Sequence, residues 1–192
     1  MPYRKTKFQA GQTYHLYNRG INRQPIFFRT ENWGYFIQRL RHYFTPELAD
    51  IHTYCLMPTH YHLTVTLKTD DLSTRLMQPF SVSYTKAINR QQERVGPLFQ
   101  GPFQAAWVDE DSYMMHLSRY IHLNPVAAGL AARPEDWAFS SYRDYIGLRD
   151  GTLPVTDLIL SQFPSRQAYR EFVESYCKEE NKIIEHLLLD DE

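Results

Sequence analysis

Two β-rich runs, residues 51–57 and 61–67, stand only three residues apart, joined by Pro58-Thr59-His60. So short a connection makes them an antiparallel hairpin, because parallel neighbours need a crossover of a dozen residues or more. The flanking periodicities extend this unit. Residues 13–18 alternate as a strand that ends at Arg19-Gly20. Residues 31–44 carry Phe36, Ile37, Leu40, Tyr43 and Phe44 at helical spacing. Leu72, Leu76, Phe80, Tyr84 and Ile88 step by four along a second helix that starts near Asp71, and Pro79 must kink or divide it. A strand over 103–108 is followed by Asp109-Glu110-Asp111, acids suited to the N-terminus of a helix running to about Leu123. The order strand, helix, strand, strand, helix, strand is the ferredoxin-like split βαβ arrangement. The expected class is α+β: one antiparallel sheet, two helices on one face and a last helix on the other.

Beyond residue 124 the chain turns irregular and aromatic through Trp137, Phe139, Tyr142 and Tyr145, read as a wrap around the core. A separate amphipathic helix is expected from about Ser165, with Tyr169, Phe172, Val173 and Tyr176 on one side. The division that follows is a main domain over 1–150 and a partly helical, acidic extension over 151–192. A chain of 192 residues, 43% hydrophobic, can bury one well-packed core. No apolar run approaches the ~20 residues needed to span a bilayer, and Met1-Pro2-Tyr3-Arg4-Lys5 leads into polar residues rather than a secretory h-region. A cytoplasmic protein with no membrane partner is expected. Cys55 and Cys177 lie far apart without metal-type spacing and read as free thiols.

The net charge of −1 excludes a uniformly basic nucleic-acid binder, yet the charges are segregated. Residues 1–44 carry Arg4, Lys5, Lys7, Arg19, Arg23, Arg29, Arg39 and Arg41 against Glu31, whereas the stretch from Ser165 is strongly acidic. That asymmetry suggests a basic face for a polyanion, with a salt-bridged surface as the plainer alternative. Interleaving of Arg19, Arg23 and Arg29 with Tyr17, Phe27 and Phe28 fits a groove where phosphates meet guanidinium groups and unpaired bases stack on rings. Core packing is the competing role for Phe27 and Phe28.

The chemistry concentrates in two short motifs. In an extended strand His60 and His62 share a face and can offer two imidazole nitrogens to one ion. Tyr120 and Asn124, four apart, project from one side of a helix and add a phenol and an amide oxygen. Each pair has an ordinary reading: surface or satisfied histidines, one of 14 tyrosines, and an asparagine that ends a helix before Pro125. Together, if strand and helix face each other, they form a catalytic constellation.

Five ordered blocks carry a resemblance: Tyr14-His15-Leu16-Tyr17-Asn18-Arg19-Gly20, Met57-Pro58-Thr59-His60-Tyr61-His62-Leu63, Gly96-Pro97-Leu98-Phe99-Gln100-Gly101, Arg119-Tyr120-Ile121-His122-Leu123-Asn124-Pro125-Val126 and Trp137-Ala138-Phe139-Ser140-Ser141-Tyr142. In order and spacing they resemble the single-tyrosine HUH transposases of IS200-like type, and among these the REP-associated tyrosine transposases, over roughly residues 10–147. The resemblance implies that His60, His62 and Asn124 are metal ligands and Tyr120 the nucleophile, and makes the helix that carries Tyr120 the catalytic one. It further implies a bacterial protein that cleaves single-stranded DNA through a 5′-phosphotyrosine, with Mg or Mn as cofactor and REP-like hairpins as partner. Ligand type alone leaves Mn, Zn, Co and Ni open. Arg4, Lys5, Lys7, Arg19, Arg23 and Arg29 are the expected DNA contacts, and monomer and homodimer both fit. The chain departs from the family pattern at Thr59, often Asn, and at Pro102 and Ala127, often Arg. Losing two arginines retunes phosphate binding without removing a reacting group. Two other readings use the same residues: a hairpin-binding protein that no longer cleaves, and a metal-dependent hydrolase independent of Tyr120.

Overall fold

The computed structural model describes residues 7–176 and 182–187. Strand β1 (Thr13–Arg19) leads through a loop to helix α1 (Thr30–Tyr43), then to β2 (Ala49–Met57) and β3 (His60–Leu67). A π-helical segment (Leu72–Met77) runs into α2 (Gln78–Gln91), followed by β4 (Gln104–Val108) and α3 (Asp111–Ala127). Short helices α4 (Tyr142–Tyr145) and α5 (Asp157–Leu160) and the longer α6 (Arg166–Glu174) complete the described chain. The strands pair antiparallel in the order β2-β3-β1-β4, the ferredoxin-like sheet.

Side-chain alternation divides the sheet into two faces. Tyr14, Leu16, Tyr61, Leu63, Val65 and Leu67 point into a core shared with Trp33, Phe36 and Leu40 of α1 and Phe80, Tyr84 and Ile88 of α2. Phe36 meets both Phe80 and Tyr84 edge to face at 4.9 Å between centroids, and each fully buried large apolar side chain contributes about 1.5–3 kcal/mol. On the opposite face Cys55, Met57 and Val108 join Met114, Leu117 and Ile121 of α3, with Tyr142, Tyr145, Tyr169 and Val173 closing that core from the C-terminal elements. Polar strand residues on this face pair with one another: Thr53 with Thr64 at 2.6 Å, and Thr66 with both Thr13 and His52 at 2.7 Å.

Several boundaries depart from the sequence expectation. His60 is the first residue of β3, so the hairpin turn is Pro58-Thr59 alone. Pro79 divides the second helix: it sits in the first turn of α2, where its missing N–H costs nothing, and the preceding turns are π-wound. Helix α3 does not stop near Leu123 but continues through Asn124 and Pro125 to Ala127, so Asn124 is not a helix terminator. The stop is Gly129, at φ +68°: its N–H donates to Val126 O at 3.0 Å and that of Leu130 to Pro125 O at 2.8 Å, a Schellman pattern. The pre-proline bias is weaker than this closing motif.

Helix α6 begins where expected, with Ser165 Oγ accepting from Ala168 N at 3.1 Å, and it packs against α3. Phe27 is core, stacked on Trp33 with centroids 3.9 Å apart, while Phe28 is partly exposed. Cys55 is a buried free thiol, and Cys177 lies outside the described residues.

Candidate nucleic-acid-processing site

His60 and His62 both point toward α3, with ring centroids 5.1 Å apart and planes at 85°. His62 Nδ1 lies 3.0 Å from His15 Nε2, and His60 Nδ1 lies 3.0 Å from Thr59 Oγ1. Each imidazole is therefore held through Nδ1, and Nε2 is a buried atom in both rings. From α3, Tyr120 brings its ring edge to face against His62, centroids 5.8 Å apart at 84°. Asn124 follows one turn later, and its Nδ2 donates to Tyr120 O at 3.2 Å. That bond engages the amide nitrogen, and the amide oxygen Oδ1 is an acceptor. Among the described residues no group of three His, Cys, Asp or Glu that could hold a metal ion gathers; His60, His62 and Asn124 offer two imidazoles and an amide.

Helix α3 is held from its other side. His122, about 200° around the helix from Tyr120, is fully buried, with Nδ1 2.7 Å from Tyr169 Oη and Nε2 2.7 Å from Ser141 Oγ. Ser141 in turn takes the Tyr54 N–H at 2.9 Å, so α3 is tied to the edge of β2 and to α6 at once. Burial lowers the His122 pKa to about 3, which keeps the ring neutral as a bridge between hydroxyls.

Two further tyrosines near α3 are poorer nucleophile candidates. Tyr142 is fully buried with its hydroxyl 3.4 Å from Glu174 Oε1, and burial pushes its pKa up. The charge of Glu110 raises the pKa of Tyr113.

Arg19, Arg23 and Arg29 lie at the same end of the sheet as the histidine pair. Arg19 stands opposite His60 and Tyr17 opposite His62 in the β1–β3 register, on the face toward α3. Loop 20–29, which carries Arg23 and Arg29, is clamped to the Pro58-Thr59 turn: Gly20 N donates to Thr59 O at 2.7 Å and Ile26 N to Pro58 O at 2.8 Å. Gly20 is required by close approach, since a Cβ there would lie 2.0 Å from Gln24 O. A second loop, 94–101, joins it through Ile21 N to Leu98 O at 2.9 Å and through Arg19 Nε to Gln100 Oε1 at 3.0 Å. Tyr17, Arg19, Gln100 and Gln104 line a cleft of about 400 Å³ there. Arg23 and Arg29 are exposed, as is Lys7, which precedes Phe8 packed on Tyr14 and Phe103. Arg4 and Lys5 lie outside the described residues.

Sequence reasoning missed His15, Gln100 and Arg94, the last stacked on Phe28 at 6.0 Å. His15 shares the alternation of Tyr17 and Arg19, but only the strand register shows that this set faces His62.

The fold thus brings a four-stranded ferredoxin-like sheet, its histidine pair and the tyrosine of α3 together. The family profile described as "Transposase IS200 like" matches residues 9–124, and the chain belongs to that family. A search of curated proteins returns no match. Among solved structures, the fold is similar to a REP-associated tyrosine transposase bound to a REP hairpin, with 21% identity, a TM-score of 0.64, and coverage of 77% of this chain and 86% of that one. A proposed transposase from Deinococcus radiodurans R1 also matches, at 18% identity and a TM-score of 0.43, over 62% of this chain and 95% of that one. Among the described residues no helix is long and apolar enough to cross a membrane.

Proposed function

We propose that the protein is a divalent-metal-dependent transposase that recognises hairpin DNA, cleaves the adjoining single strand and rejoins it through a 5′-phosphotyrosine on Tyr120. The observation that carries this reading is the meeting of Tyr120 with His62 and His60 beside the Arg19 corner. His60, His62 and Asn124 fit a divalent ion, because a neutral donor set leaves the ion's double charge available to an anionic phosphodiester. When bound, that ion supplies Lewis acidity toward a phosphate oxygen.

The remaining work belongs to the chain. A phenol of ordinary pKa near 10 is a weak nucleophile, so the electrophile must be activated and aligned. Tyr120 Oη bonds to phosphorus as the P–O3′ bond breaks, and the phenol's proton accompanies the departing 3′-oxygen to give a free 3′-hydroxyl. One phosphodiester replaces another, so the reverse step, attack by a 3′-hydroxyl, rejoins the strand without a nucleotide cofactor. Arg19, Arg23 and Arg29, joined in this reading by Arg94, hold the DNA backbone at the corner formed by loops 20–29 and 94–101. The hairpin partner follows the protein of similar fold, which is bound to a REP hairpin. Arg4, Lys5 and Lys7 complete the proposed contacts, and the extension over 151–192 is proposed as a unit of its own that supports α3.

The test is incubation with hairpin DNA carrying a single-stranded 5′ flank in Mn²⁺, followed by denaturing electrophoresis. A protease-sensitive protein–DNA adduct is expected. Tight hairpin binding without adduct would favour a protein that recognises and does not cleave.

A further inference from the structure

We propose that His15 is a positioning residue that fixes the tautomer of His62, holding its proton on Nδ1 so that Nε2 presents a lone pair to the ion. This rests on the reading of His60, His62 and Asn124 as the ligand set.

His15 and His62 are both fully buried, their rings lie at 19° with centroids 5.2 Å apart, and His15 Nε2 is 3.0 Å from His62 Nδ1. A hydrogen bond between two neutral imidazoles has one N–H and one lone pair, which allows two arrangements. If His15 donates, the proton of His62 sits on Nε2 and that atom cannot ligate. If His62 donates from Nδ1, its Nε2 carries the lone pair and His15 accepts through Nε2. Only the second arrangement makes His62 a ligand, and it requires His15 to carry its own proton on Nδ1 so that its Nε2 accepts.

The fold fixes this acceptor through strand register. The direct cross-strand neighbour of His62 is Tyr17, and His15 reaches it diagonally from two residues earlier in β1. The ring of Tyr17 lies 4.8 Å from that of His15 by centroid. Thr59 plays a weaker part for His60, because a hydroxyl rotates to serve either tautomer.

The experiment uses the full chain, metal-free, with ¹⁵N-labelled histidine. Long-range ¹H–¹⁵N correlations read which nitrogen of His62 bears the proton, without metal, DNA or any substitution. The expected result is Nδ1–H in the unmodified chain, a shift toward Nε2–H in His15→Leu, and retention of Nδ1–H in His15→Gln, whose amide oxygen reaches near the position of Nε2. Calorimetric titration with Mn²⁺ should show about 10- to 100-fold weaker binding in His15→Leu and near-complete rescue in His15→Gln. An Nε2–H tautomer in the unmodified chain overturns the proposal, as does Mn²⁺ affinity that His15→Leu leaves unchanged. Absence of Mn²⁺ binding by the unmodified chain instead overturns the ligand set itself, and with it this role for His15.

Discussion

Tyr120 and His62 meet edge to face, 5.8 Å between centroids, although one belongs to a helix and the other to the strand beneath it. The contact sets the phenol beside the histidine pair without burying it, for Tyr120 keeps partial exposure while His62 has none. In the proposed reaction the nucleophile must reach its substrate and the ligand must keep its orientation.

Replacing Tyr120 by Phe removes one oxygen and preserves the ring contact. The expected result is loss of the covalent DNA adduct by at least about 1,000-fold, the scale seen when a nucleophile is deleted, with hairpin affinity nearly unchanged in a gel-shift titration. Tyr113→Phe and Tyr142→Phe should still form adduct. Adduct formation by Tyr120→Phe would remove that residue from the reaction.

Truncating either imidazole should weaken Mn²⁺ binding by 10-fold or more. His60→Ala and His62→Ala are expected to lose metal-dependent cleavage together with affinity, while Asn124→Ala, which removes a weaker donor, should be milder. Titration calorimetry separates the cases, and unchanged binding in the double histidine variant refutes the site.

A slightly acidic protein must concentrate its cations where the DNA lies. Neutralising Arg19 and Arg23 together should weaken hairpin binding and flatten the slope of log affinity against log salt by about one unit per lost phosphate contact. Preference for an imperfect hairpin with a 5′ flank over random single strands and perfect duplex is expected throughout. Equal affinity for all three would mark the corner as a non-specific cation patch.

Acid should unfold the protein through His122. Its folded pKa, lowered to about 3 by burial, lies below the unfolded value near 6.5, so the unfolded chain binds the extra proton first. The stability contributed by the neutral ring is complete above pH 6.5 and is lost as pH falls toward 3, at about 1.4 kcal/mol per pH unit. Burial shifts His52 in the same direction. Denaturant titrations of His122→Gln should show a shallower acid slope, and lower stability at pH 7 by about 1–3 kcal/mol from the disturbed hydroxyl pair. An unchanged slope would assign the acid sensitivity to other groups.

What could be read from the sequence was local. The strand alternation of 61–67 and the four-step of Leu72 to Ile88 report their own elements, and the pairs His60/His62 and Tyr120/Asn124 each lie within one element. Contacts that depend on register or on loop meeting loop had no such signal: the bond from His15 to His62 needs the β1–β3 alignment, and Arg94 reaches Phe28 only after α2 has been placed against α1. Asn124-Pro125 misled because a weak local bias was read as a stop, while the stronger signal, Gly129 in a left-handed conformation, stood further along. Adjacent Phe27 and Phe28 divided between core and surface, a choice set by Trp33 and not by either residue.

The alternation of β3 has a consequence for how such a chain can vary. Odd positions 61, 63, 65 and 67 are core against α1 and α2, and even positions 60 and 62 set the histidine pair on the opposite face. The strand is in effect a parity code, and the Pro58-Thr59 turn leaves no spare residue in which to absorb a change of phase. Substitutions at odd positions can be traded among apolar residues of similar volume at a cost usually below about 1.5 kcal/mol. One inserted or deleted residue between Met57 and His62 exchanges the two sets, sending imidazoles into the hydrocarbon core and Tyr61 into the site. The chain is free to drift in composition here, but not in length.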